Sequence, residues 1–128
     1  DVEKIYAVTE GVTSDMQSTD LEIVKRFDDR QLIRLTRFDY FSETVPELLE
    51  RGMKLVEVAG NHEILITLLG SRDADYSFEH GEFLFNLPIL TQPGQTRAAV
   101  KVPLADLALF FEELKGREDI RFEHMYDY

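Results

Sequence analysis

Cysteine is absent from the 128 residues. That excludes a disulfide framework, thiolate metal sites and cysteine nucleophiles together. Glycine is sparse at seven residues. None are grouped as Gly-x-Gly-x-x-Gly or as a Walker loop, so no phosphate-cradling turn is encoded. No Gly-x-Ser-x-Gly elbow and no His-Glu-x-x-His helix occurs, which removes the commonest hydrolase and zinc signatures. No apolar run approaches the roughly 20 residues of a spanning helix. The longest, Ile64 to Leu69, is the size of a strand. Basic residues are outnumbered, 14 against 25 acidic, for a net charge of −11. Such a field repels phosphate backbones and argues against a nucleic-acid partner. Arg26, Arg30, Arg34 and Arg37 lie close together, but Asp28, Asp29 and Asp39 interrupt them. The run reads as a salt-bridged sheet face.

What is present describes an ordinary globular chain. It is 44% hydrophobic and 30% charged, which argues against disorder. The length suits one domain able to bury a core without a metal or disulfide. Residues 1–20 read as an N-terminal extension, strand or loop, ahead of a single domain over 21–128. The start at Asp1 fits a trimmed secretory leader or an excised domain. An extracytoplasmic location is the expectation of the two.

Leu21 to Phe27 fits a helix capping box at Thr19–Glu22 but has the β-branched pair Ile23-Val24. The alternation over Leu32–Phe38 supports the strand reading, so 21–27 and 31–38 are expected to form a hairpin. Thr44-Val45-Pro46-Glu47 is a capping box with proline in the first turn, and predicts a short helix stopped by Gly52. Strands are expected over Met53–Ala59 and Glu63–Leu69, with Gly60-Asn61 as a tight hairpin turn between them. Residues 71–81 read as a polar loop. Glu82–Leu87 reads as a strand with Phe83 and Phe85 on one face, weakened at its end by Pro88. Arg97–Val102 is a strand with Ala98, Val100 and Val102 facing one way. A helix from Pro103 presents Leu104, Leu107, Phe110, Phe111 and Leu114 at three- and four-residue spacings. Ile120–Tyr126 is a terminal strand with Ile120 and Phe122 turned to the core. Residues 32–59 and 97–126 repeat one pattern of strand, helix and strand. Two such β-α-β units predict an α+β, ferredoxin-like or related sandwich, with two helices on one face of a mainly antiparallel sheet.

Each histidine has a glutamate beside it: His62-Glu63, Glu79-His80 and Glu123-His124. Neighbours in a strand point to opposite faces, so these pairs do not form ready metal sites. The loop 73–82 is the densest set of oxygen ligands. It fails as an EF-hand, because Phe78 stands where glycine is required and Leu84 where the bidentate glutamate belongs. Asp73, Asp75, Glu79 and His80 remain the metal candidates. Phe38, Tyr40, Phe41, Tyr126 and Tyr128 are the interface candidates, since closely spaced aromatics cannot all face inward from one strand. No motif calls for a cofactor. The expected function is a non-catalytic binding or protein-interaction domain, engaging a partner or itself through a sheet face or edge. The alternatives are a metal- or small-ligand-dependent enzyme using His and Glu, and an acidic inhibitor or immunity-type protein for a basic partner.

Overall fold

The alternation in residues 21–36 produces a hairpin in the computed structural model, which describes residues 3–126. Strand β2 (Leu21–Phe27) pairs antiparallel with β3 (Arg30–Thr36) through a turn in which Asp28 takes a φ of 51°. The strand before them, β1 (Lys4–Glu10), is internal to the sheet. Residues 4–10 are thus part of the folded body and not an appendage to it. After α1 (Asp39–Glu50) comes β4 (Lys54–Val58), and then β5 (Glu63–Ser71), β6 (Glu82–Pro88), β7 (Gln95–Pro103), α2 (Leu107–Lys115) and β8 (Ile120–Tyr126). Short 3-10 turns at Ser14–Met16 and Leu104–Asp106 precede β2 and α2.

The described residues form a mixed α+β fold, mostly sheet, with two four-stranded antiparallel sheets and two helices. The strands are ordered β2-β3-β1-β4 in one sheet and β6-β7-β5-β8 in the other. The expectation of one sheet fails at a single turn. Ala59 and Gly60, with φ of 48° and 86°, form the two-residue turn, one position earlier than the sequence suggested. Both positive φ values belong to the primed turns of hairpins. Yet β4 pairs with β1 while β5 pairs with β7 and β8. The turn hands the chain from one sheet to the next.

Two other local expectations are corrected. Helix α1 begins five residues before the proposed capping box and carries Pro46 inside it. The cause is burial: Phe41, Val45 and Leu48 form one apolar stripe, and packing of Phe41 recruits an extra turn. The helix ends as expected near Gly52, where the Met53 N–H donates to the Leu48 carbonyl at 3.0 Å. In β6, Phe83 pairs with Val100 but Phe85 with Ala99, so the two rings occupy opposite faces. A bulge at Leu84 inserts the residue that the alternation did not anticipate.

The two halves repeat one another beyond their element order. Isolated bridges Ser18–Leu21 and Phe78–Gly81, at the starts of β2 and β6, stand at an offset of 60 residues from one another. Edge-strand bulges fall at Val24 and Leu84 with that offset again. Gly11 and Gly70 both sit where a Cβ would collide with backbone, 2.4 Å from the Gly52 carbonyl oxygen and 2.5 Å from that of Asp119. Each contact packs the end of a first strand against the start of a last one.

The halves also close each other. Helix α1 packs beside β8, and the 3-10 turn before α2 packs beside β4. Ser42 on α1 accepts the Met125 N–H at 2.9 Å and lies 3.2 Å from the Met125 carbonyl, standing in for a neighbouring strand. At the opposite junction the Leu104 N–H donates to the His62 carbonyl at 2.9 Å. One cluster of buried side chains runs through both sheets, including Ile33, Leu35, Phe41, Ile66, Leu68 and Phe110. Edges β4 and β8 are covered, while β2 and β6 stay open.

Candidate interaction surface

An open edge strand presents unpaired backbone groups, and proteins normally guard it with charge, bulges or cover. Strand β2 is guarded. It carries Glu22, Lys25 and Arg26; the Arg26 guanidinium donates to the Val12 carbonyl and to the Ser14 hydroxyl, and Glu22 pairs with Arg34 at 2.6 Å. Lys25 lies over the Phe27 ring at 5.0 Å. Strand β6 holds the same place in the other half; it keeps the bulge, at Leu84, but its only charged residue is Glu82. Every residue of Glu82–Pro88 is exposed. No charged residue occurs between Glu82 and Arg97.

The apolar content of this edge is large. Phe85 is 50% exposed, Leu87 57% and Leu90, just beyond the strand, 91%. The register sets Phe85 beside Ala99 and Leu87 beside Arg97, on the face away from the core residues Ala98 and Val100. Leu65 and Leu69 of β5 extend that face inward. Ion pairs bound it. Arg97 grips Glu123 with two bonds of 2.7 and 2.6 Å, and Lys101 reaches Glu82 and Glu63 at 3.5 and 3.7 Å. The Arg97 hydrogen bonds, more than its charge, hold the Glu123 carboxyl below its usual range, although burial opposes this. The surface is therefore an apolar strip with a charged border.

The predicted interface aromatics lie elsewhere. Phe41 is fully buried in the core and offers no surface, which corrects its assignment. Tyr40 is half-buried against the core, and that burial raises its phenol pKa. Phe38 is exposed beneath the Arg37 guanidinium, 4.9 Å from the ring. Tyr126 packs edge-on against His124 at 4.7 Å. Tyr128 lies outside the described residues.

The metal candidates are brought together only in part. The ligand atoms of Glu79 and His80 lie within 4.8 Å of each other and of Glu113, a residue the sequence reading did not include. Asp73 and Asp75 are not in this group; Asp75 instead caps the Ser77 N–H at 2.9 Å. The Glu113 carboxylate accepts the N–H groups of Glu79 and His80 at 2.8 and 2.9 Å, and lies 2.9 Å from His80 Nδ1. Burial pushes the Glu113 pKa up, but these hydrogen bonds outweigh it and leave the group lowered. The arrangement fastens the loop before β6 to α2. Among the described residues the three histidines do not share a cluster. His124 Nδ1 lies 2.8 Å from the Ser42 hydroxyl. That is nucleophile–base spacing, but Ser42 is buried at the α1–β8 junction and lines none of the larger clefts.

The aromatics of 78–85 cluster in the sequence as well, but spacing alone does not mark Phe83 or Phe85 as interface residues. The usable signal was the charge-free stretch 83–96 in a chain that is 30% charged. No family model, curated protein or solved structure matches the chain.

Proposed function

We propose that this chain is a non-catalytic protein-interaction domain that binds an extended apolar segment of a partner protein along β6. The observation that carries the reading is the contrast between β2 and β6. They occupy equivalent edges, yet β2 carries Glu22, Lys25 and Arg26 while β6, after Glu82, is exposed and uncharged, with Phe83, Leu84, Phe85 and Leu87. Strand addition would satisfy the free backbone groups, while Phe85 and Leu87 would supply apolar contacts. Burying each such side chain is worth about 1.5–3 kcal/mol. The net charge of −11 on every copy opposes self-pairing and favours a different protein as the partner.

We also read each half as a ferredoxin-like sheet in which a loop replaces one helical crossover. Supporting this, β1 lies between β3 and β4 and is antiparallel to both, with α1 making the connection. The same holds for β5, β7, β8 and α2.

The test is selection of binders from a random-peptide library on the full chain, with sites mapped by amide chemical shifts. Selected peptides should shift β6 and β7 amides. They should bind at least tenfold more weakly to Phe85→Lys or Leu87→Lys, and equally well to Val24→Lys on β2. Peptides that bind both β6 variants as well as the parent would refute the assignment. So would a concentration-dependent dimer that forms through β6 in the parent alone, which would make a second copy the occupant.

A further inference from the structure

Away from β6, the chain holds an apolar cavity of about 420 Å³ between α1, α2 and β8. Its walls are Leu49 of α1, Ala108, Leu109 and Phe111 of α2, and Ile120 and Phe122 of β8. A second cavity, of about 550 Å³, opens on the β4 side and shares Leu49, Ala108 and Leu109 with the first. Both volumes fall in the range of small-molecule sites, which commonly lie between packed helices. Leu109 stands half exposed where the two meet.

The charge around the first cavity runs against that of the chain. Three cations line it, Lys115, Arg117 and Arg121, against the two anions Glu50 and Glu112. Lys115 is taken up by Glu50 and Glu112, and Arg117 by Asp119. Arg121 is exposed and, among the described residues, its side chain makes no hydrogen bond or ion pair. An apolar pocket with one uncommitted guanidinium at its rim matches an aliphatic chain ending in a carboxylate, which that planar fork can grip with two bonds.

We infer that the cavity between α1, α2 and β8 is a binding site for a medium-chain aliphatic carboxylate, with the tail on Leu49, Leu109 and Phe122 and the head on Arg121. The site is independent of β6.

Decanoate, used below its micelle-forming concentration, tests the assignment by amide chemical-shift titration of the full chain. Saturable shifts are expected at Leu49, Leu109 and Phe122, with β6 unmoved. Decanoate should bind about tenfold more tightly than decyltrimethylammonium, the scale of one charge-assisted hydrogen bond in partial contact with water. Arg121→Gln should erase that preference while neutral decanol binds as before. Ala108→Phe should block all three probes by filling the cavity. Equal affinity for the anion and the cation, an unchanged preference in Arg121→Gln, or shifts confined to other surfaces would each overturn the inference. The first of these would leave the groove as a general apolar face.

Discussion

Replacing Ser42 with alanine removes the clamp between α1 and β8. The hydroxyl accepts the Met125 N–H at 2.9 Å, and Met125 is fully buried, so no water is positioned to replace it. An unpaired buried N–H costs about 1–3 kcal/mol. The hydroxyl also lies within hydrogen-bond distance of the Met125 carbonyl and of His124 Nδ1. Its single proton serves one of them, and losing that bond adds about 0.5–1.5 kcal/mol. Alanine returns about 0.5 kcal/mol through its higher helix propensity. The net loss is about 2.5 kcal/mol. At the usual unfolding entropy per residue, a chain of this length loses about 4 °C of Tm per kcal/mol, so Tm should fall by about 10 °C. Urea denaturation and a thermal melt measure the loss, and hydrogen exchange at the Met125 amide locates it. Ser77→Ala, on an exposed loop, is the control and should stay within about 0.5 kcal/mol of the parent. A loss under about 0.5 kcal/mol for Ser42→Ala, with Met125 protection unchanged, would refute the clamp.

Gly70→Ala should cost at least about 2 kcal/mol in chemical denaturation, because the new Cβ meets the Asp119 carbonyl oxygen at 2.5 Å and backbone has little room to yield. Gly94→Ala meets nothing within 4 Å and should cost only the strain of its positive φ, about 1–2 kcal/mol. Glu113→Gln tests the loop fastening by its pH dependence. The folded-state pKa lies below the ordinary value of 4.5, so the carboxylate's stabilisation is complete above that value and is lost as pH falls through the folded pKa. The stability gap between parent and variant should therefore hold between pH 5 and 6, as read by urea melts, and shrink below about 4.5. A gap unchanged down to pH 3 would count against the depressed pKa. A double-mutant cycle on Arg97 and Glu123 should return about 0.5–1 kcal/mol, reduced by added salt, since Arg97 is exposed and Glu123 only partly buried.

The legible parts of the sequence were those decided within a few neighbouring residues. The hairpin of β2 and β3, the Gly52 stop, the apolar spacing of α2 and the limits of β8 all follow from local chemistry. The start of α1 was hidden because burial of Phe41 by distant strands outweighs the capping box. The division into two sheets was hidden because a primed turn has the same composition whether its strands pair together or part. Of the candidate site, Glu79 and His80 were found as a cluster, but Glu113 comes from a helix more than thirty residues downstream. The β6 surface needed a comparison with β2, and only the shared topology makes those strands equivalent.

The mutual closure of the two halves has a consequence during synthesis. The first sheet is complete once Val58 has been made, but β4 waits for Leu104–Asp106 and α1 waits for β8. At roughly 5–20 residues per second, the ribosome takes roughly 3–14 s to deliver them. Helices and hairpins form in microseconds. The nascent chain therefore spends seconds with half its architecture able to form and two of its seams unsealed. Two adjacent nascent chains of this protein could close those seams on each other, exchanging halves as one chain later does alone.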